Sequence, residues 1–125
     1  MINQILYIFI AYFIGSISFG ILASKIFNIT DPRAMGSKNP GATNVLRTGN
    51  KYAAVFTLLG DMLKATLVVG IALSLNFSGN YLTAVILAVL LGHMYPIFYN
   101  FKGGKGVATA LGILLAINWE LALFT

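Results

Sequence analysis

Four apolar stretches, separated by two longer polar segments and one short turn, organise this chain. Ile5 to Leu22 is almost continuously hydrophobic, long enough to cross a hydrocarbon core of about 30 Å. Inside it, Gly15-Ser16-Ile17-Ser18-Phe19-Gly20 is a patch of small residues. Small side chains let helices approach closely, so packing against a neighbour is the first reading and lining a site the second. A second span runs from Tyr52 to Leu75 and a third from Tyr81 to about Tyr95, where Pro96 stops or kinks it. Val107 to Phe124 is the fourth, with Glu120 expected near the far interface. The pattern predicts an all-α, polytopic membrane helix bundle with four transmembrane segments, forming one membrane-embedded domain over residues 1–125.

The polar intervals carry the rest. Ser24 to Lys51 holds Lys25, Arg33, Lys38, Arg47 and Lys51 against a single acid, Asp31. Asp31-Pro32 reads as an N-cap followed by proline in the first helical turn, predicting a short surface helix. Thr43 or Asn44 is placed to cap a further helix, begun by Leu46 and Arg47. Asn76 to Asn80 is a short uncharged turn, and Asn100 to Gly106 is glycine- and lysine-rich. Within the second span, Asp61 and Lys64 share one helix face at i, i+3 spacing. Each costs about 2.5–3.5 kcal/mol at a span centre, so neither is expected to face lipid unpaired. A structural ion pair turned into the bundle is the favoured reading. A functional role is the second, since ionisable groups inside spans are candidates by default.

Composition agrees with the pattern. The 125 residues are 58% hydrophobic and 9% charged, against the quarter or so charged in a soluble domain. Cysteine is absent, which excludes a disulfide framework and thiolate metal sites; one histidine and three acids leave little for any metal. The apolar N-terminus does not read as a signal peptide, because no Lys or Arg precedes Lys25 and the apolar run is too long. The net charge of +5 sits between apolar spans, so the expected partner is anionic lipid or phosphate and not nucleic acid. Seven of the eight Lys and Arg residues fall at 24–51 and 100–106, the eighth being Lys64. With four spans, the loops at about 24–51 and 96–106 share one face. The positive-inside rule makes that face cytoplasmic and the N-terminus external.

Both loops have the makings of anion sites. Gly36 to Arg47 combines glycines, the turn signal Asn39-Pro40-Gly41 and a helix start, with Lys38 and Arg47 as flanking charges. Alone, it reads more readily as a solvated basic connector held by lipid headgroups. Lys102-Gly103-Gly104-Lys105-Gly106 follows with mobile charge and accessible backbone. It is not a nucleotide P-loop, because Gly106 follows Lys105 where Ser or Thr is required and no strand precedes it.

Taken together the loops are more specific. Gly36 through Arg47 resembles the first motif of the bacterial acyl-phosphate:glycerol-3-phosphate acyltransferases, the PlsY family. Gly92-His93-Met94-Tyr95-Pro96-Ile97-Phe98, continuing through Phe101 to Thr109, resembles the second, and Asp61-Met62-Leu63-Lys64 falls between them in the matching order. Ser18 stands where members commonly carry proline, and Lys38 where glycine is frequent. Members of that family have seven spans and a third motif, so the resemblance implies that the chain is an N-terminal portion lacking that motif.

The resemblance implies transfer of a fatty acyl group from acyl phosphate to the 1-hydroxyl of glycerol 3-phosphate, giving lysophosphatidic acid and phosphate for phospholipid biosynthesis. It implies a multi-pass protein of the bacterial cytoplasmic (inner) membrane, with its site on the cytoplasmic side and no metal or other cofactor. Ser37, Arg47 and Lys105 take the catalytic positions. Gly36, Asn39, Gly41, Ala42, Thr43 and Asn44 form the phosphate-binding loop, and Lys102, Gly103, Gly104 and Gly106 the glycerol-3-phosphate motif. His93 is a candidate for orienting substrate or serving as base. Two other classes compete: a small-anion transporter using Asp61 and Lys64, and a non-catalytic helical scaffold binding membrane lipid. Nothing in the sequence assigns an oligomeric state.

Overall fold

The computed structural model of the protein describes residues 2–119, and those residues are helical with intervening loops. In chain order the helices are α1 (Ile2–Gly15), α2 (Phe19–Ile26), α3 (Ala42–Leu46), α4 (Lys51–Ser74), α5 (Gly79–Met94) and α6 (Val107–Ile117). Two 3-10 turns, Pro32–Ala34 and Ile97–Tyr99, lie in the loops.

The second and third spans take the expected places. Asn50 caps α4 by accepting from the Ala53 amide at 3.0 Å, and α5 stops at Met94 just before Pro96. Along α4, Val55, Leu59, Leu63, Leu67 and Ile71 form an exposed apolar stripe at four-residue spacing, while Thr57, Asp61, Lys64, Ala65, Val68 and Ala72 face inward. A water-soluble helix shows the reverse distribution. Here large aliphatics face outward and small or polar groups pack the interior, as expected when lipid is the solvent. The core joins α1, α4, α5 and α6 around Ala11, Val69, Val85, Val89 and Ile113. A second cluster of Ala23, Val45, Ala53 and Ala54 ties the first loop to α2 and α4.

The first span departs from expectation. It is broken into α1 and α2, which bend by 44° across Ser16 to Ser18. Hydropathy hides the break because both halves are apolar. Ser16 Oγ donates to the Tyr12 carbonyl at 2.9 Å, ending α1, and Ser18 Oγ accepts from the Ile21 amide at 3.4 Å to cap α2. The small-residue patch does pack closely: a Cβ at Gly15 would collide with the Val89 backbone, and one at Gly20 with the Pro40 carbonyl.

Two helices, α4 and the stretch Gly79–Tyr99, are long and apolar enough to cross a membrane, and the bent pair makes a third if counted as one span. Among the described residues α6 has 11 residues, shorter than a span. The expected continuation to Phe124, with Glu120 at the far interface, lies outside the described residues. Among the described residues there are thus two or three candidate spans of the four expected.

Candidate functional site

The two basic loops meet at one end of the bundle over a cavity of about 310 Å³. Ser37, Asn39, Gly41, Ala42, Thr43, Asn44 and Arg47 line it from the first loop. Lys105, Gly106, Val107 and Ala108 line it from the second, with Leu58, Asp61 and His93 beneath.

The first loop is shaped around Asn44, which is 2% exposed. Its Nδ2 donates to the carbonyls of Pro32, Asn39 and Met35 at 2.7, 2.9 and 3.1 Å, and its Oδ1 accepts from the Ser37 amide at 3.2 Å. One side chain therefore gathers four separated points of the loop. Asn39 Oδ1 in turn accepts from the Gly41 amide at 2.9 Å, the side-chain mimic of a turn. Gly36 sits at φ +51, where a Cβ would meet Asn44 Oδ1 and the Arg47 guanidinium, so glycine lets Arg47 lie across the loop.

Two local expectations are corrected. The N-cap of α3 is Gly41, with no side-chain bond, so neither Thr43 nor Asn44 caps it. Arg47 closes α3 instead of opening the next helix, which begins at Lys51. Asn44 turns its amide into the loop while still lining the cavity. The Asp31-Pro32 start appears as expected but shortened to the 3-10 turn, with Asp31 Oδ1 accepting from the Arg33 amide at 2.9 Å. The Arg33 guanidinium also binds Asp31 Oδ2 at 2.7 Å and lies 5.7 Å from the Tyr99 ring centre, touching the second loop's 3-10 turn. The hydrogen bond from Arg33 holds the Asp31 carboxyl below its ordinary pKa, and Asp31 raises that of Arg33.

The second loop is pinned by its backbone. The amides of Phe101 and Lys102 donate to Pro96 and Tyr99 at 2.9 and 3.2 Å; those of Gly103 and Gly104 donate to Met94 and His93 at 3.0 and 3.2 Å. A Cβ at Gly104 would strike His93 Nε2 and Cε1. Gly103 and Gly104 are thus placed for close approach to the end of α5, and they do not line the cavity. Lys102 is exposed and also lies off its lining, whereas Lys105 is on it.

Below the loops lies an arrangement whose reach the sequence did not reveal. Asp61 and Lys64 form the expected inward ion pair, Nζ to Oδ1 at 3.0 Å, with both residues buried. Lys64 Nζ also donates to the Ile17 carbonyl at 2.7 Å, and Asp61 Oδ1 accepts from the Phe19 amide at 3.4 Å. Those main-chain groups flank the break between α1 and α2, where no helical partner is available. Irregular backbone at membrane depth is tolerated only where protein satisfies it, and here the ion pair does so. His93 Nδ1 stands 3.0 Å from the same Nζ. His93 therefore has the partner that its sequence neighbourhood lacks, 29 residues away.

Comparison with known proteins fits these features. Residues 5–125 match the family described as glycerol-3-phosphate acyltransferase. The chain belongs to that family. It is 58% identical over 113 residues to the glycerol-3-phosphate acyltransferase of Dechloromonas aromatica, covering 90% of this chain and 57% of that protein. It is 57% identical over 120 residues to that of Methylobacillus flagellatus, covering 96% of this chain and 61% of the relative. The crystal structure of PlsY (YgiH), an integral membrane glycerol 3-phosphate acyltransferase, in its glycerol 3-phosphate form, superposes with a TM-score of 0.90. That match has 44% identity over 98% of this chain and 61% of the other. The lysophosphatidic acid form gives a TM-score of 0.88 at 43% identity, over 98% of this chain and 60% of that one. The chain thus spans about 60% of the length of the relatives it matches. Family membership and the apolar helices together give a membrane location.

Proposed function

We propose that the protein to which this chain contributes transfers a fatty acyl group from acyl phosphate to the 1-hydroxyl of glycerol 3-phosphate, releasing lysophosphatidic acid and phosphate. The observation that carries the reading is the shared cavity, into which Ser37 and Arg47 project from one loop and Lys105 from the other. Solved relatives with glycerol 3-phosphate and with lysophosphatidic acid support the acceptor and the product.

The donor is already activated, so the site's task is to hold two phosphate-bearing anions together and to stabilise charge on the carbonyl oxygen under attack. Arg47 offers a planar fork to phosphate oxygens, and Lys105 a compact positive charge across the cavity. Ser37 hydrogen-bonds substrate or polarises the attacking hydroxyl. Ala42 and Thr43 open α3, where the first amides of a helix lack intrahelical partners, and both line the cavity. The hydroxyl proton passes to the donor's own phosphate, the hydroxyl oxygen bonds to the acyl carbon, and the acyl–phosphate bond breaks to release phosphate. The loops face the cytoplasm of a bacterial inner membrane with the N-terminus outside, consistent with the clustering of positive charge.

The test is to supply purified full-length protein with acyl phosphate and glycerol 3-phosphate and to follow lysophosphatidate and phosphate, with acyl-CoA and acyl carrier protein thioesters run in parallel. Arg47→Ala is expected to lower turnover at least a hundredfold, and Ser37→Ala comparably, with membrane insertion unchanged. Product from a thioester alone would reassign the donor. Solute flux in sealed vesicles without phosphate release would favour a transporter.

A further inference from the structure

The Asp61–Lys64–His93 cluster fixes more than the broken span. An ammonium has three hydrogens and no lone pair. Lys64 Nζ has three acceptors within reach: the Ile17 carbonyl at 2.7 Å, Asp61 Oδ1 at 3.0 Å and His93 Nδ1 at 3.0 Å. Each hydrogen is thereby assigned, and Nδ1 has to accept. The competing arrangement, with Nδ1 donating to Asp61 to make a carboxylate–histidine base, needs a hydrogen-bond distance, but Asp61 Oδ1 is 3.8 Å away. Nδ1 bare means Nε2 carries the ring hydrogen.

That Nε2 edge faces the seam between the loops. A Cβ on Gly104 would meet Nε2 first, then Cε1 of the same ring and Asn39 Oδ1 of the first loop. His93 lines the cavity, and Nε2 has no hydrogen-bond partner among the described residues. Among the described residues no buried side-chain nitrogen or oxygen is left without a partner, so Nε2 is reachable from the cavity and not sealed. The groups around the ring are Asp61 and Lys64 from α4, Gly104 from the second loop and Asn39 from the first.

We infer that Lys64 locks His93 as its neutral Nε2–H tautomer, and that this hydrogen is donated to a phosphate oxygen of an anion held in the cavity. His93 is then a substrate-orienting donor and not a base, and Lys64 with Asp61 are positioning residues acting through it. This rests on the acyl-transfer reading only for which phosphate compound occupies the cavity.

The experiment uses the full-length protein in lipid nanodiscs, labelled with nitrogen-15 histidine, the His93 signals being those lost in His93→Gln. One bare nitrogen, Nδ1, and one protonated nitrogen, Nε2, are expected at neutral pH. Titration with glycerol 3-phosphate, inorganic phosphate or a non-transferable acyl phosphonate is expected to move Nε2 and leave Nδ1 in place, and the compound that moves it names the bound phosphate. A protonated Nδ1, or an Nε2 that no phosphate compound moves, overturns the inference. A moving Nε2 in a protein that makes no lysophosphatidate upholds it and removes the acyl-transfer reading instead.

Kinetics gives an independent arm. A Gln amide nitrogen can stand in for Nε2–H but cannot serve as a base. His93→Gln is therefore expected to keep activity within about threefold, while His93→Phe raises the KM of one phosphate substrate about ten- to a hundredfold. Equal loss in both overturns the donor role. In Lys64→Met combined with Asp61→Asn, which leaves no bare buried charge, the ring nitrogens are expected to average between tautomers. An unchanged bare Nδ1 there removes Lys64 from the assignment.

Discussion

In the first loop, the amides of Ser37, Asn39 and Gly41 donate to side-chain oxygens of Asn44, Ser37 and Asn39. In the second, four successive amides from Phe101 to Gly104 donate to main-chain carbonyls at the end of α5 and just beyond. The two segments share a composition of glycine, lysine and asparagine, yet one is held by its own side chains and the other by a neighbouring helix end. The difference bears on what a glycine signifies. Gly36 makes room for the Arg47 side chain, whereas Gly103 and Gly104 make room for the backbone and ring of His93. A glycine–lysine run is thus not by itself a cradle of amides; its amides have to be accounted for one at a time.

The strongest way to sharpen this contrast lies within the second loop. Lys105 lines the cavity and Lys102 does not, although the two are three residues apart in the same motif. Lys105→Ala is expected to lower kcat/KM of the full-length enzyme about ten- to a hundredfold, the usual loss for a hydrogen bond to a charged group. Lys102→Ala is expected to stay within about twofold. Equal losses would mean that both lysines reach substrate and that the loop rearranges when it binds.

Alanine at one glycine of each loop compares the two scaffolds. Gly104→Ala drives a methyl into the His93 ring, an overpacking expected to cost about 1–3 kcal/mol. Gly41 has φ −80, ordinary for any residue, and its Cβ would meet Asn39 Oδ1 at 3.1 Å, the end of a movable side chain. Gly41→Ala is expected to cost less than about 1 kcal/mol. Thermal unfolding of the two variants in one detergent checks the order, and a larger loss at Gly41 would reverse the assignment of rigid and adaptable loop.

Much of this arrangement is legible in the residue pattern. The spans at Tyr52 and Tyr81, the stop at Pro96 and the inward pairing of Asp61 with Lys64 follow from hydropathy, proline geometry and i, i+3 spacing. The convergence of the loops follows from counting spans. The break at Ser16 to Ser18 does not, because a patch of small residues in an apolar run reads equally as a face for close helix packing. Neither does the partnership of His93 with Lys64, since contacts across 29 residues leave no local signature. Lys38 lies between these cases. The resemblance notes lysine where glycine is frequent, and the structure gives the reason, since Lys38 sits at φ +62. Lys38→Gly is accordingly expected to stabilise the folded protein by about 0.5–1 kcal/mol, as relief of left-handed strain exceeds the added chain entropy. A lower melting temperature would show that the lysine makes a compensating contact.

The smallest effect concerns where the loops touch each other. Asp31 caps the Pro32–Ala34 turn and orients Arg33, whose guanidinium lies against Tyr99 of the opposite loop. Because Arg33 lowers the Asp31 pKa, the ionised carboxylate contributes stability above the ordinary carboxylate pKa and loses it as pH falls through the lowered one. Both side chains are more than a third exposed, so solvent screening keeps the ion pair to at most about 0.5 kcal/mol. Asp31→Asn retains an oxygen for the Arg33 amide and removes only the charge. Its melting temperature is therefore expected to fall slightly below wild type at neutral pH, with the gap closing on acidification and in high salt. A gap that persists in acid would locate the contribution in the geometry of the cap, leaving the charge without a part in holding the two loops together.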